Sequence, residues 1–305
     1  MKILIIGGTG HVGYNLTKIL HEQGHDVIIG CRGTTQIPND PVFSKVRFVT
    51  CNSRDIADME KLAAAEYFDV VIDFPGTAWN VWQAFKDKAG HVIACGSVWM
   101  FGYPHTVPTP ERTQSPCPFE GYANRYARII DMISDCQRHK AAFTAIMPTN
   151  ISGRGKIPLD TLGGRDAEVH RANARGEVVY LPEGPESTIC PCEAYDMATL
   201  FALAVNNRTA ANGQIFNTGT ERALTSTEFV KTCAAIHGVE IPIEYIPWEK
   251  YKNEISPDIG YWWHFYAHMT PDITKAKALL GYKPRYTCEE AMERGIAWMK
   301  DNNLL

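Results

Sequence analysis

Ile3-Leu4-Ile5-Ile6-Gly7-Gly8-Thr9-Gly10-His11-Val12-Gly13 opens the chain. Four apolar residues in unbroken succession read as a strand buried on both faces. After the glycines, Val12, Leu16, Ile19 and Leu20 recur on one helical face, and Gly24 stops that helix. A strand that turns through glycines into a helix makes an anion site. Gly7 permits the tight turn, Gly10 lets the backbone approach a phosphate, and Gly13 lets helix and strand pack closely. Thr9, His11 and Val12 complete the turn, whose free N–H groups and helix dipole face a pyrophosphate.

Working outward, further near-continuous apolar runs fall at 27–29, 46–49, 70–72, 92–95 and 143–147. Helix-like stretches separate them, one at about 122–139 with Ile129, Ile130, Ile133 and Cys136 as its stripe. This alternation predicts an α/β fold, a doubly wound parallel Rossmann sheet. Beyond Pro148, Gly and Pro become frequent and the periods weaken. A helix at 194–205 and a strand at 215–216 return to the sheet, and helices at 227–237 and 289–301 belong elsewhere. Residues 1–150 with about 186–220 are therefore expected to form the dinucleotide-binding domain. Residues 151–185 with about 221–305 form a smaller, interwoven C-terminal substrate lobe.

Of the 305 residues, 45% are apolar and 21% charged, with a net charge of −4. Acidic and basic residues are mixed, which argues against nucleic acid or an anionic membrane as partner. No apolar run approaches the roughly 20 residues of a membrane span. The first strand begins at the first residues, so no export leader is expected. The nine scattered cysteines then read as reduced thiols in a cytoplasm. The second strand ends Gly30-Cys31-Arg32-Gly33 without the carboxylate that binds the ribose hydroxyls of NAD. The guanidinium of Arg32 suits a 2′-phosphate, which favours NADP over NAD.

These pieces resemble the extended short-chain dehydrogenase/reductase family, the NAD-dependent epimerases and dehydratases. The spacing Gly7, Gly10, Gly13 is that family's glycine pattern. Cys95-Gly96-Ser97-Val98-Trp99-Met100-Phe101-Gly102 is similar to its strand-five segment, and Tyr122 follows at the family's spacing. Pro148-Thr149-Asn150-Ile151-Ser152-Gly153, Tyr195-Asp196-Met197-Ala198, Phe216-Asn217-Thr218-Gly219 and Leu279-Leu280-Gly281-Tyr282-Lys283-Pro284 match later segments in order. The resemblance implies hydride transfer at a carbonyl or alcohol of a sugar nucleotide or other small molecule, by reduction, epimerisation or dehydration. Tyr122 would be the acid/base and Ser97 the clamp on the substrate oxygen. Asn52, Asp55, Pro75, Gly76 and Pro148 would meet the cofactor, and Trp99, Asn150, Trp263 and His264 the substrate. It also implies a homodimer through the helix that carries the tyrosine.

One position departs from the family. Tyr-x-x-x-Lys is here Tyr122-Ala123-Asn124-Arg125-Tyr126. Positions i and i+4 share a helix face, so Tyr126 is expected where the lysine would touch tyrosine and cofactor. A free tyrosine has a pKa of about 10. Removing a unit charge at about 5 Å costs its anion roughly 3 kcal/mol at an effective dielectric near 20, or about two pKa units. Arg125, three residues from Tyr122, is a candidate replacement, although it relays protons poorly.

His264 and His268 have a metal-compatible spacing, but the surrounding Tyr261-Trp262-Trp263-His264-Phe265-Tyr266 reads better as aromatic lining, so no metal is expected. His170, Arg171 and Arg175 lie where sugar-nucleotide members meet phosphates, and a solvated helix face explains them equally well. Two readings remain open. One is an NAD(P)-dependent enzyme, and the other a catalytically impaired NAD(P)-binding redox sensor or regulatory protein, since relatives with broken sites include transcriptional co-regulators and an RNA-binding chloroplast group.

Overall fold

The computed structural model describes residues 1–34 and 36–305. In the first half, strands β1 Lys2–Ile6, β2 Asp26–Cys31, β3 Arg47–Thr50, β4 Phe68–Asp73, β5 Ala89–Cys95 and β6 Ala142–Met147 alternate with helices α1 His11–Glu22, α2 Ile56–Ala65, α3 Ala78–Phe85 and α4 Glu120–Asp135. Strand Gln214–Asn217 adds a seventh member. Every pairing is parallel, and the order runs from Gln214–Asn217 through β6, β5, β4, β1 and β2 to β3. The strand order reverses between β1 and β4, which opens the crevice where this class of sheet takes ligands.

The unbroken apolar runs follow from burial on both faces. Leu4, Ile6 and Ile28 enter one core with Val81, Trp82, Phe85, Ile129 and Met132 of α3 and α4. Ile3, Ile5 and Val27 point the other way, into a core with Leu16 and Leu20 of α1 and Met197, Leu200 and Phe201 of helix Ala194–Asn206. A third core, with Leu181, Ile189, Phe229, Tyr251 and Met292, serves the second lobe, where strand Val179–Pro182 pairs with Ile243–Ile246. The chain crosses between lobes at the short parallel pair Asn150–Ser152 and Pro191–Glu193.

Helix edges differ from the sequence reading for local reasons. The helix expected at 122–139 begins at Glu120 and yields at Cys136 to a 3₁₀ turn. The helices expected at 227–237 and 289–301 begin one residue earlier, each behind a threonine in a capping box, Thr225 with Glu228 and Thr287 with Glu290. Helix Ala167–Ala174 carries His170 and Arg171, for which the sequence allowed a helix face.

The turn after β1 shows why its glycines are needed. Gly7 has φ +85° and Gly10 N donates to Gly7 O at 3.0 Å. A Cβ on Gly13 would lie 2.2 Å from Gly7 O and 2.8 Å from Gly8 Cα. Both obstacles are backbone, which no rotamer change relieves. Gly13→Ala should therefore cost on the order of 1–3 kcal/mol in urea unfolding and weaken dinucleotide binding; wild-type stability and affinity in this variant would refute the packing account.

Candidate active site

The carboxyl ends of β4, β5 and β6 surround a cavity of about 290 Å³. Phe74 and Pro75 form one wall, Ser97 and Trp99 another, and Pro148 and Asn150 a third. Tyr122 and Arg125 enter from α4, His264 from helix Ile259–Tyr266, and Lys156 and Arg165 from the segment after β6.

Ser97 caps the 3₁₀ turn Val98–Phe101, and its Oγ accepts from Trp99 N at 3.3 Å. The hydroxyl proton remains free to donate to a ligand. Tyr122 sits on the first turn of α4 with its ring 5.8 Å from that of Trp99. Arg125 lies over the Tyr122 ring at 5.7 Å and donates from Nη2 to Cys95 O at 3.1 Å. Gly76 makes that possible, since a Cβ there would stand 2.5 Å from Arg125 Nη2. Asn150 Nδ2 donates to His264 Nδ1 at 3.0 Å, which leaves Asn150 Oδ1 buried without a partner. Burial, then the nearby Arg165 charge, hold His264 neutral with a pKa of about 3. Burial pushes the Cys95 thiol up to about 12, so it is no nucleophile at neutral pH.

Several expected residues are placed elsewhere. Tyr126 does not line the cavity. Its ring packs edge-on against Phe101 at 5.6 Å, an aromatic contact that a lysine could not make. Arg125 reaches the strand ends instead. Trp263 is 4% exposed and packs against Phe119 and Tyr103, so it supports the pocket from behind rather than lining it. Asp55 is the N-cap of α2, and its carboxylate accepts from Ala57 N. Asn52 Oδ1 accepts from Arg54 N. His170 is buried on Pro158 O, while Arg171 and Arg175 pair with Glu168 on an exposed face. Among the described residues no group of three His, Cys, Asp or Glu side chains could hold a metal, and no helix is long and apolar enough to cross a membrane.

Lys156 and Arg165 were not anticipated. The only sequence signal was two basic residues in a glycine-rich stretch, Gly153-Arg154-Gly155-Lys156 and Gly163-Gly164-Arg165. That stretch folds back on the glycine turn: a Cβ on Gly155 would be 3.4 Å from His11 Cα. Arg154 stacks on Tyr14 at 4.3 Å and donates to its hydroxyl, which donates to Asp40, the partner of Lys18. Burial first, then Arg165 and Lys156, hold His11 neutral with a pKa of about 3.

A family model described as the NAD dependent epimerase/dehydratase family matches residues 3–84. Chloroplast stem-loop binding protein of 41 kDa b from Arabidopsis thaliana is 27% identical over 95% of this chain and 77% of its own. UDP-glucose 4-epimerase of Lactobacillus helveticus is 22% identical over 99% of this chain and 98% of its own. The chain is similar to the extended short-chain dehydrogenases/reductases, the NAD-dependent epimerases and dehydratases. Its fold matches that of UDP-glucose 4-epimerase from Thermotoga maritima, solved with UDP-glucose, with a TM-score of 0.77 and 20% identity over 99% of this chain and 100% of that one. The enzyme from Stenotrophomonas maltophila, solved with NAD and formylated UDP-arabinopyranose, gives 0.77 and 18% over 99% of both chains.

Gly7 of the glycine turn lies against Phe74 and Pro75, which form one wall of the cavity, and free N–H groups at a helix start suit the pyrophosphate of a dinucleotide. Arg32 is exposed at the end of β2, the position that distinguishes the two nucleotides. Arg32→Ala should weaken NADPH by about tenfold, the worth of one charge-assisted contact, and NADH little; equal losses by calorimetry would remove the 2′-phosphate role.

Proposed function

We propose that the protein transfers hydride between a pyridine dinucleotide and a carbinol or carbonyl carbon of a sugar nucleotide, with epimerisation or reduction as the outcome. One observation carries this reading: Ser97 and Tyr122 meet in a single cavity at the sheet's carboxyl edge, beside the glycine turn. The sugar-nucleotide substrate class is supported by what the epimerase relatives and structural neighbours are named for. NADP rather than NAD is supported by Arg32 alone.

The nicotinamide, when bound, supplies the hydride acceptor or donor. The chain itself holds the substrate and moves the proton. The Ser97 hydroxyl donates to the reacting oxygen and fixes its direction toward Tyr122. In reduction the neutral Tyr122 phenol donates its proton to that oxygen, which needs no prior ionisation. In oxidation Tyr122 takes the proton instead, with Arg125 and Arg165 in the same cavity wall where the family has its lysine. Asn150 Oδ1 is free to accept from a substrate hydroxyl. Lys156, at the cavity mouth and near His11, places its charge toward the dinucleotide.

One feature favours the second reading, an NAD(P)-binding sensor without turnover: the half-buried Tyr126 packs against Phe101 and does not line the cavity. Two variants separate the readings. Tyr122→Phe should lower both NAD(P)H oxidation by keto substrates and the interconversion of UDP-sugar epimers by about 10²-fold or more, with dinucleotide affinity retained. Turnover that survives Tyr122→Phe removes the mechanism, and tight NADPH binding with neither carbonyl reduction nor epimer interconversion selects the sensor. Lys156→Met should raise the dinucleotide Kd by about tenfold, the worth of one charge-assisted contact; an unchanged value would exclude the cofactor role of Lys156.

A further inference from the structure

The charges lining the cavity do not balance. Arg125, Lys156 and Arg165 contribute to its wall, and no Asp or Glu does. Arg125 is offset by Asp73, which lies within its field beneath the cavity. Arg165 is mostly buried and, among the described residues, forms no ion pair. Its Nη1 donates to Ile157 O at 2.7 Å and its Nη2 to Ile151 O at 3.0 Å. The carboxylate in its field is Asp160, whose oxygens are taken by the backbone N–H groups of Leu162, Gly164 and Asp166. A guanidinium has five N–H donors, so carbonyls satisfy only part of Arg165. Arg165 lines the cavity with Tyr122, His264 and Lys156, and its charge is felt at His264, Lys156 and His11.

His264 does not relieve the excess, because it is neutral. An oxidised nicotinamide would add one more positive charge. The pyrophosphate belongs to the glycine turn, on the His11 and Lys156 side. Asp160 offsets Arg165 from a distance but makes no contact with it, so an anion that paired directly with the remaining guanidinium N–H groups would lower the cost of burying them. Arg165, with Asn150 and His264 across the cavity, is suited to a planar anion held in two parallel hydrogen bonds.

We propose that the substrate carries a carboxylate close to its reacting carbon, and that Arg165 pairs with that carboxylate beside Tyr122. Within the hydride-transfer reading, on which this rests, the substrate class becomes a sugar acid or its nucleotide rather than a neutral sugar. Arg165 then sets specificity, and the anion neutralises the cavity when it enters.

Binding, not turnover, tests this. Dinucleotide-saturated protein is titrated with oxalate and with oxamide, its uncharged isostere, while Trp99 in the cavity wall contributes to the fluorescence response and calorimetry gives the affinity. Oxalate should bind about tenfold or more tighter than oxamide. Arg165→Met should abolish the difference and Arg165→Lys retain part of it. If Arg165→Met does not fold, the wild-type comparison and Arg165→Lys decide. A second arm compares UDP-glucuronate with UDP-glucose, and the charged sugar should bind more tightly by a similar factor. Arg165-dependent oxalate binding with neither UDP-sugar bound supports the carboxylate site and counts against a sugar-nucleotide substrate. Equal binding of oxalate and oxamide, no binding of either, or a preference that survives Arg165→Met overturns the inference.

Discussion

The approach of the first turn of α1 to the carbonyl of Gly7 sets the geometry of everything above the sheet. At Gly13 two backbone segments touch with no room for a methyl group, so the helix starts directly at the end of β1. Its unpaired N–H groups then open onto the crevice between β1 and β4, where the strand order reverses. That crevice leads to the ends of β5 and β6, where Ser97, Tyr122 and Asn150 converge. A looser joint would move the anion site away from the place where the chemistry is carried out.

Much of this was legible in the sequence because it rests on short-range rules. Buried parallel strands must be continuously apolar, which exposed β1, β4, β5 and β6. Glycine spacing in a strand-to-helix turn has few physical explanations. Ser97 and Tyr122 were singled out by the family resemblance, and the ends of β5 and α4 bring both to the cavity. What failed was side-chain direction. Tyr126 shares a helix face with Tyr122, but an aromatic ring gains more by packing on Phe101 than by entering a polar cavity. Trp263 and His264 are adjacent, and the register of a short helix sends the first inward and the second to the cavity. Asp55 reads as a ligand contact until the start of α2 shows that its carboxylate is a cap.

Lys156 and Arg165 were illegible for a different reason. Their segment has no periodicity, and only the folded path of residues 151–166 brings them over the sheet. They show that the charge missing from position 126 is not missing from the cavity. It arrives from other elements, Arg125 from a neighbouring position on α4 and Arg165 from the crossover, with the difference that a guanidinium holds its charge without passing a proton on. The electrostatic demand at Tyr122 and the choice of substrate thereby fall to overlapping groups.

The stretch from Gly153 to Lys156 roofs the glycine turn and is fastened to α1 through Arg154, Tyr14, Asp40 and Lys18. A dinucleotide held on the glycine turn, as proposed, would lie next to that clasp. A coenzyme kept in place between successive half-reactions can be reduced and reoxidised on the same molecule of substrate, with no net consumption. In the proposed reaction, such retention suits isomerisation better than stoichiometric reduction.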